Sequence, residues 1–128
     1  MEKRKEHRIP LDKQLPNGYS FTDFILEINA EQKLAASVVD INLDGAGFTI
    51  ANADKALVET IVIMKTMFAT LYIKDIAILT ESRLVWSNTK HNNEHLTIQG
   101  GVQFTVMAPK DRIVLNSILT AIRSGIHR

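Results

Sequence analysis

Asp40-Ile41-Asn42-Leu43-Asp44-Gly45-Ala46-Gly47 follows an apolar run, residues 34–39, that carries no helix stop and reads as a strand. Alternate residues of a strand point to one face, so Asp40 and Asn42 are expected to present a carboxylate and a carboxamide side by side. Asp44-Gly45 is a strong turn signal, and Gly47 tolerates positive φ or the close approach of another group. Taken alone, these eight residues describe a polar hairpin turn. A second cluster, Arg4-Lys5-Glu6-His7-Arg8, alters that reading. Its two guanidinium groups, four residues apart, fall on one side of either an extended segment or a helical turn.

Working outward, residues 1–12 are nearly all charged at their start and read as a mobile N-terminal arm, with Pro10, Pro16 and Asn17-Gly18 punctuating a loop. From Phe21 the pattern alternates, with Phe24, Leu26 and Ile28 on one side and Asp23, Glu27 and Asn29 on the other. A hairpin near Ala30-Glu31 leads to a second strand over 34–42 and a short third over 47–51. Residues 52–57 fit a loop or a single helical turn. The apolar, β-branched stretch 61–73 predicts a strand with a break near Lys65, and Lys74-Asp75 a turn. Residues 76–87 resume extended structure, Ile78, Leu84 and Trp86 facing one way and Glu81 and Arg83 the other. In the last strand Leu96, Ile98, Val102, Phe104 and Val106 share a parity, and Gly100-Gly101 predicts a bend or bulge. Pro109 and Asp111 then open a helix over 109–125, with Leu115, Ile118, Leu119 and Ile122 as its apolar stripe and Gly125 as its cap. About six strands and one helix, without βαβ alternation, predict an all-β domain with a C-terminal helix. The expected form is one domain over 1–128: an antiparallel barrel at 20–107 covered by that helix.

The two clusters, in this order and with these flanks, resemble the PilZ domain family of bacterial cyclic di-GMP receptors. Arg4 and Arg8 match its R-x-x-x-R motif. Asp40 and Gly45 match its D/N-x-S-x-x-G motif, with Asn42 standing where the family has serine. Leu84-Val85-Trp86 and Gly101-Val102-Gln103-Phe104 are similar to later features of the family, so the resemblance covers essentially the whole chain. It implies a six-stranded split β-barrel of PilZ type and a cyclic di-GMP site formed by Arg4, Arg8, Asp40, Asn42 and Gly45, with Lys3, Lys5 and Gly47 as further candidates. The residue types suit that ligand. Guanidinium groups pair with phosphate oxygens, reach guanine O6 and N7, or stack on a purine. Asp40 can accept from guanine N1–H and N2–H₂, Asn42 can donate or accept, and Gly45 lets the chain turn close to the ligand. The implied activity is a non-catalytic receptor whose arginine arm closes over a ligand held at the barrel, for a protein partner to read. The alternative is a PilZ-like adaptor that has lost the nucleotide and acts through protein contacts.

Composition bounds the other classes. At 128 residues and 45% hydrophobic, the chain suits one core, and its net charge of +1 supplies no field for nonspecific nucleic-acid binding. No cysteine is present, and no cofactor is implied. The N-terminus lacks the apolar core of a signal peptide, and the longest apolar stretch, 56–73, is broken by Glu59 and Lys65. No membrane span and a cytoplasmic location are therefore expected. His91-Asn92-Asn93-Glu94-His95 fits a zinc-protease string, but that chemistry needs a helix, and Asn92-Asn93 between two strand patterns predicts a solvated hairpin. No nucleophile elbow, phosphate loop or dinucleotide fingerprint occurs, so no enzyme is expected. Trp86 and Phe104 fall at core parity.

Overall fold

Phe24, Leu26 and Ile28, alternate residues of one strand, are all fully buried, and the same alternation repeated around the chain closes it into a barrel. The computed structural model describes residues 8–11, 15–29, 33–92 and 95–126. In chain order these form β1 (Ile9–Pro10), a 3₁₀ turn (Phe21–Asp23), β2 (Phe24–Asn29), β3 (Lys33–Ile41), β4 (Gly45–Ala53), α1 (Lys55–Ile63), β5 (Thr66–Ile73), β6 (Ile76–Asn92), β7 (His95–Met107) and α2 (Pro109–Ile126). Six strands run in the order β3-β2-β5-β6-β7-β4, and a β3–β4 pairing closes the ring, every pairing being antiparallel. Closure removes the exposed edges of an open sheet. The short β1 adds to β3, Ile9 opposite Ile41 and Pro10 opposite Asp40. The segment expected as an arm is thus tied to the barrel from Ile9, whose side chain is buried with that of Leu11, and Leu11 N–H donates to the Val39 carbonyl at 2.8 Å.

Helix α2 buries Leu115, Ile118, Leu119 and Ile122 against the barrel core, each worth about 1.5–3 kcal/mol relative to exposure. Gly125 lies inside this helix rather than capping it. A Cβ there would stand 2.3 Å from Pro16 Cβ, so glycine permits contact between α2 and the preceding loop, where Asn17 Nδ2 donates to the Ala121 carbonyl at 2.7 Å.

Three other expectations are corrected. Residues 61–63 are the last turn of α1, not strand: Asp54 caps the helix, its Oδ1 accepting from Leu57 N–H at 2.7 Å, and Ile61 is its buried anchor. A short apolar run has no periodicity to separate helix from strand, so the cap decides. The second correction concerns Trp86, which is 48% exposed. Leu84 pairs with Val102 but Trp86 with Gly101, so β6 carries a bulge at Val85 that reverses the parity of the residues beyond it. A similar register shift, with Glu81 opposite Val106 and Ser82 opposite Phe104, turns Val106 outward while Phe104 stays buried. Finally, the strand after the Asp44-Gly45 turn begins at Gly45 and runs to Ala53, longer than expected at both ends.

Candidate ligand-binding site

The site grows from the turn between β3 and β4. Asn42 N–H donates to the Gly45 carbonyl at 3.0 Å, and Asn42 Oδ1 accepts from the N–H groups of Asp44 and Gly45 at 2.8 and 2.9 Å. This side chain is therefore part of the turn, and Asn42 is 1% exposed. The expectation that Asp40 and Asn42 project side by side does not hold, because β3 ends at Ile41 and strand parity ends with it. A Cβ on Gly45 would stand 2.3 Å from the Val102 carbonyl oxygen, which accounts for glycine where the turn meets β7.

Asp40 stays on the outer wall. Its Oδ1 accepts from Gly47 N–H at 2.9 Å and from Arg8 Nη1 at 3.1 Å. The carboxylate lies where a side chain at position 47 would be, 2.7 Å from the site of a Cβ there. Arg8 is held in place by the burial of Ile9 and Leu11 behind it, and its own side chain is only 15% exposed. Its Nε is buried and has no hydrogen-bond partner among the described residues. A charge-assisted bond is typically about 2.7–2.9 Å, so the Arg8–Asp40 contact is a loose one.

The register extends this corner across the sheet. Asp40 on β3 pairs with Gly47 on β4, Gly47 with Gly101 on β7, and Gly101 with Trp86 on β6. The Trp86 indole lies over Gly101, its Nε1 2.3 Å from the site of a Cβ there. Two paired glycines thus form a floor, with a carboxylate laid over one and an indole over the other, separated by roughly one strand spacing, about 5 Å. Such a floor can accept a planar ring: the exposed indole offers a π face and the carboxylate accepts from ring N–H groups.

Of the sequence-derived candidates, Arg8, Asp40, Gly45 and Gly47 come together here, and Asn42 supports them from below. Lys3, Arg4 and Lys5 lie outside the described residues. Trp86 joins the site against its core parity. The signal for an outward indole is Leu84-Val85-Trp86 itself, three successive apolar residues that a strictly alternating strand cannot all bury. His91 and His95 stand on paired strands, Asn92 opposite His95, as a hairpin requires, with Glu94 and His127 outside the described residues. Among the described residues no group of three or more His, Asp or Glu side chains is placed to hold a metal.

The fold is a closed antiparallel barrel whose outer wall brings Arg8, Asp40, Gly47, Gly101 and Trp86 together. The chain belongs to the PilZ domain family, which it matches over residues 2–121. PilZ domains are non-catalytic receptors of cyclic di-GMP. Three solved structures share the fold. Klebsiella pneumonia MrkH in its apo state is 12% identical with a TM-score of 0.71, over 100% of this chain and 53% of that one. Borreliella burgdorferi PlzA in complex with c-di-GMP is 12% identical with a TM-score of 0.62, over 97% and 54%. The PilZ domain of Escherichia coli YcgR with c-di-GMP is 14% identical with a TM-score of 0.58, over 94% and 93%. The chain thus spans about half the length of the first two. No curated protein matches it in sequence. Among the described residues, no helix is long and apolar enough to cross a membrane.

Proposed function

We propose that this chain binds cyclic di-GMP on the outer wall of its barrel. The observation that carries the reading is the 3.1 Å contact between Arg8 and Asp40, which joins one residue of each sequence motif at a single corner. A guanine stacked on Trp86 directs its N1–H and N2–H₂ edge to Asp40, and Arg8, whose buried Nε has no partner among the described residues, takes a phosphate oxygen or guanine O6 and N7. The segment bearing Lys3, Arg4 and Lys5 precedes Arg8 directly and folds over the ligand from that side. Its ordering opposes binding by entropy and re-forms the surface that a protein partner reads.

Calorimetric titration with cyclic di-GMP, and with other cyclic and linear nucleotides as controls, tests this reading. Selective saturable binding that Arg8→Ala weakens about ten- to a hundredfold supports it, a loss of roughly 1.5–3 kcal/mol. Hydrogen exchange should slow at residues 5–8 on adding ligand, whereas Leu11, already bonded to Val39, should change little. One observation favours a second reading as a protein-binding adaptor. Asn42 Oδ1, at the position of the family's serine, is engaged by the turn. Absence of binding to every nucleotide would support the adaptor and sink the receptor.

A further inference from the structure

Next to the Asp40–Trp86 row, one step along the strands, a second row runs across the same outer face. Gly45 pairs with Gln103, and Gln103 with Arg83. Gly45 and Gly47 are two apart on β4, as are Gly101 and Gln103 on β7, so the rows share a face. At one end stands Arg8, its Nη2 3.2 Å from the site of a Cβ on Gly45. At the other stands Arg83, whose Nη2 donates to Gln103 Oε1 at 2.8 Å. Two strand spacings separate Gly45 from Arg83, about 10 Å.

The two guanidinium groups differ in charge balance. Arg8 faces the Asp40 carboxylate. Arg83 is directed by a carboxamide, and among the described residues it has no carboxylate within ion-pairing distance. An amide orients a guanidinium without neutralising it, and leaves the remaining N–H groups for an anion. Arg83 is therefore the uncompensated cation of this pair. With a base on the first row, the phosphates of the same ligand fall toward the second.

We infer that Arg83, positioned by Gln103, is a second phosphate-holding guanidinium of the ligand site. This rests on the cyclic di-GMP reading and extends it to residues outside both sequence motifs. Bidentate pairing with phosphate suits the planar fork, and Trp86 three residues further along β6 ties the phosphate and base contacts to one strand.

The experiment is titration of cyclic di-GMP into the wild type, Arg83→Gln, Arg83→Lys and Gln103→Ala at low and high salt, with thermal melting of each. Arg83→Gln removes the charge while keeping an amide and most of the stem, so its melting temperature should hold. It should bind about tenfold more weakly than wild type, with a shallower salt dependence. Arg83→Lys should recover part of the loss, and Gln103→Ala should lose about three- to fivefold by freeing the guanidinium. Wild-type affinity and salt dependence in a folded Arg83→Gln would overturn the inference while leaving the receptor reading intact. Failure of the wild type to bind overturns that reading, and this inference with it.

Discussion

Asp40 and Asn42 lie two residues apart in one motif, and the protein uses them in opposite directions. Asp40 is the last polar residue of β3, its side chain 37% exposed on the outer wall and shared between Arg8 and the Gly47 amide. Asn42 lies just past the end of the strand and is buried, its oxygen satisfying two backbone N–H groups of the turn. The difference is one of backbone, since both side chains are short acceptors. On β3 a register shift between Val38 and Asp40 breaks the inward parity of Ala36 and Val38 and turns Asp40 outward; beyond Ile41 the turn decides direction. Position 42 therefore holds the loop in shape, whereas position 40 reaches the outer wall, where it meets Arg8 and the Gly47 amide.

That contrast can be broken most forcefully at the turn. Asn42→Ala leaves the N–H groups of Asp44 and Gly45 without their acceptor, at about 1–2 kcal/mol each, so stability should fall by about 2–4 kcal/mol and the melting temperature by roughly 8–16 °C. A variant that melts with the wild type would mean the turn does not depend on this side chain. Asp40→Ala should show the reverse pattern. Its cyclic di-GMP affinity should drop about ten- to a hundredfold, roughly 1.5–3 kcal/mol, while stability falls by about 1–2 kcal/mol, less than for Asn42→Ala, because the Gly47 N–H loses its acceptor and the mostly buried Arg8 loses only a long contact. Melting and titration of one preparation check both halves, and a large stability loss without a binding loss would exchange the roles assigned here.

A subtler break uses the glycine beneath the carboxylate. Gly47→Ala places a methyl group 2.7 Å from Asp40 Oδ1, and a short rotation of that side chain relieves the clash. The expected outcome is a stability change below about 1 kcal/mol and a three- to tenfold loss of affinity, roughly 0.6–1.4 kcal/mol, read by the same titration. Unchanged binding would show that the carboxylate's seat on Gly47 does not matter to the ligand. Asn42→Ser, the smallest of the four, restores the family residue. A serine hydroxyl makes the same kind of turn more weakly, so about 0.5–1 kcal/mol of stability should be lost and affinity should move by less than about threefold. A tenfold gain or loss in titration would place position 42 against the ligand after all.

Much of the fold is legible in the sequence because it depends on local pattern. The parity of Phe24, Leu26 and Ile28 marks β2, and the stripe from Leu115 to Ile122 marks α2. Arg8 and Asp40 are singled out by the resemblance of the two clusters, taken together, to the PilZ motifs; residue type and spacing alone describe a charged chain start and a polar turn. Legibility fails where one residue changes the phase. The bulge at Val85 turns Trp86 outward onto Gly101, and the end of β3 at Ile41 turns Asn42 inward. Residues 61–63 read as strand because apolar, β-branched residues suit either element until a cap such as Asp54 is counted.

The amino-acid order by itself determined the closed antiparallel barrel, its C-terminal helix and the two polar clusters, because burial in alternating or helical rhythm is written in consecutive residues. Only the tertiary structure decided that Asp40, Gly47, Gly101 and Trp86 form one row, and Gly45, Gln103 and Arg83 the next. Those rows join strands far apart in sequence, and their alignment is set by backbone hydrogen bonds, bulges and the closure of the ring. A backbone register carries no residue-type signature of its own, so the platform exists only once the strands have met.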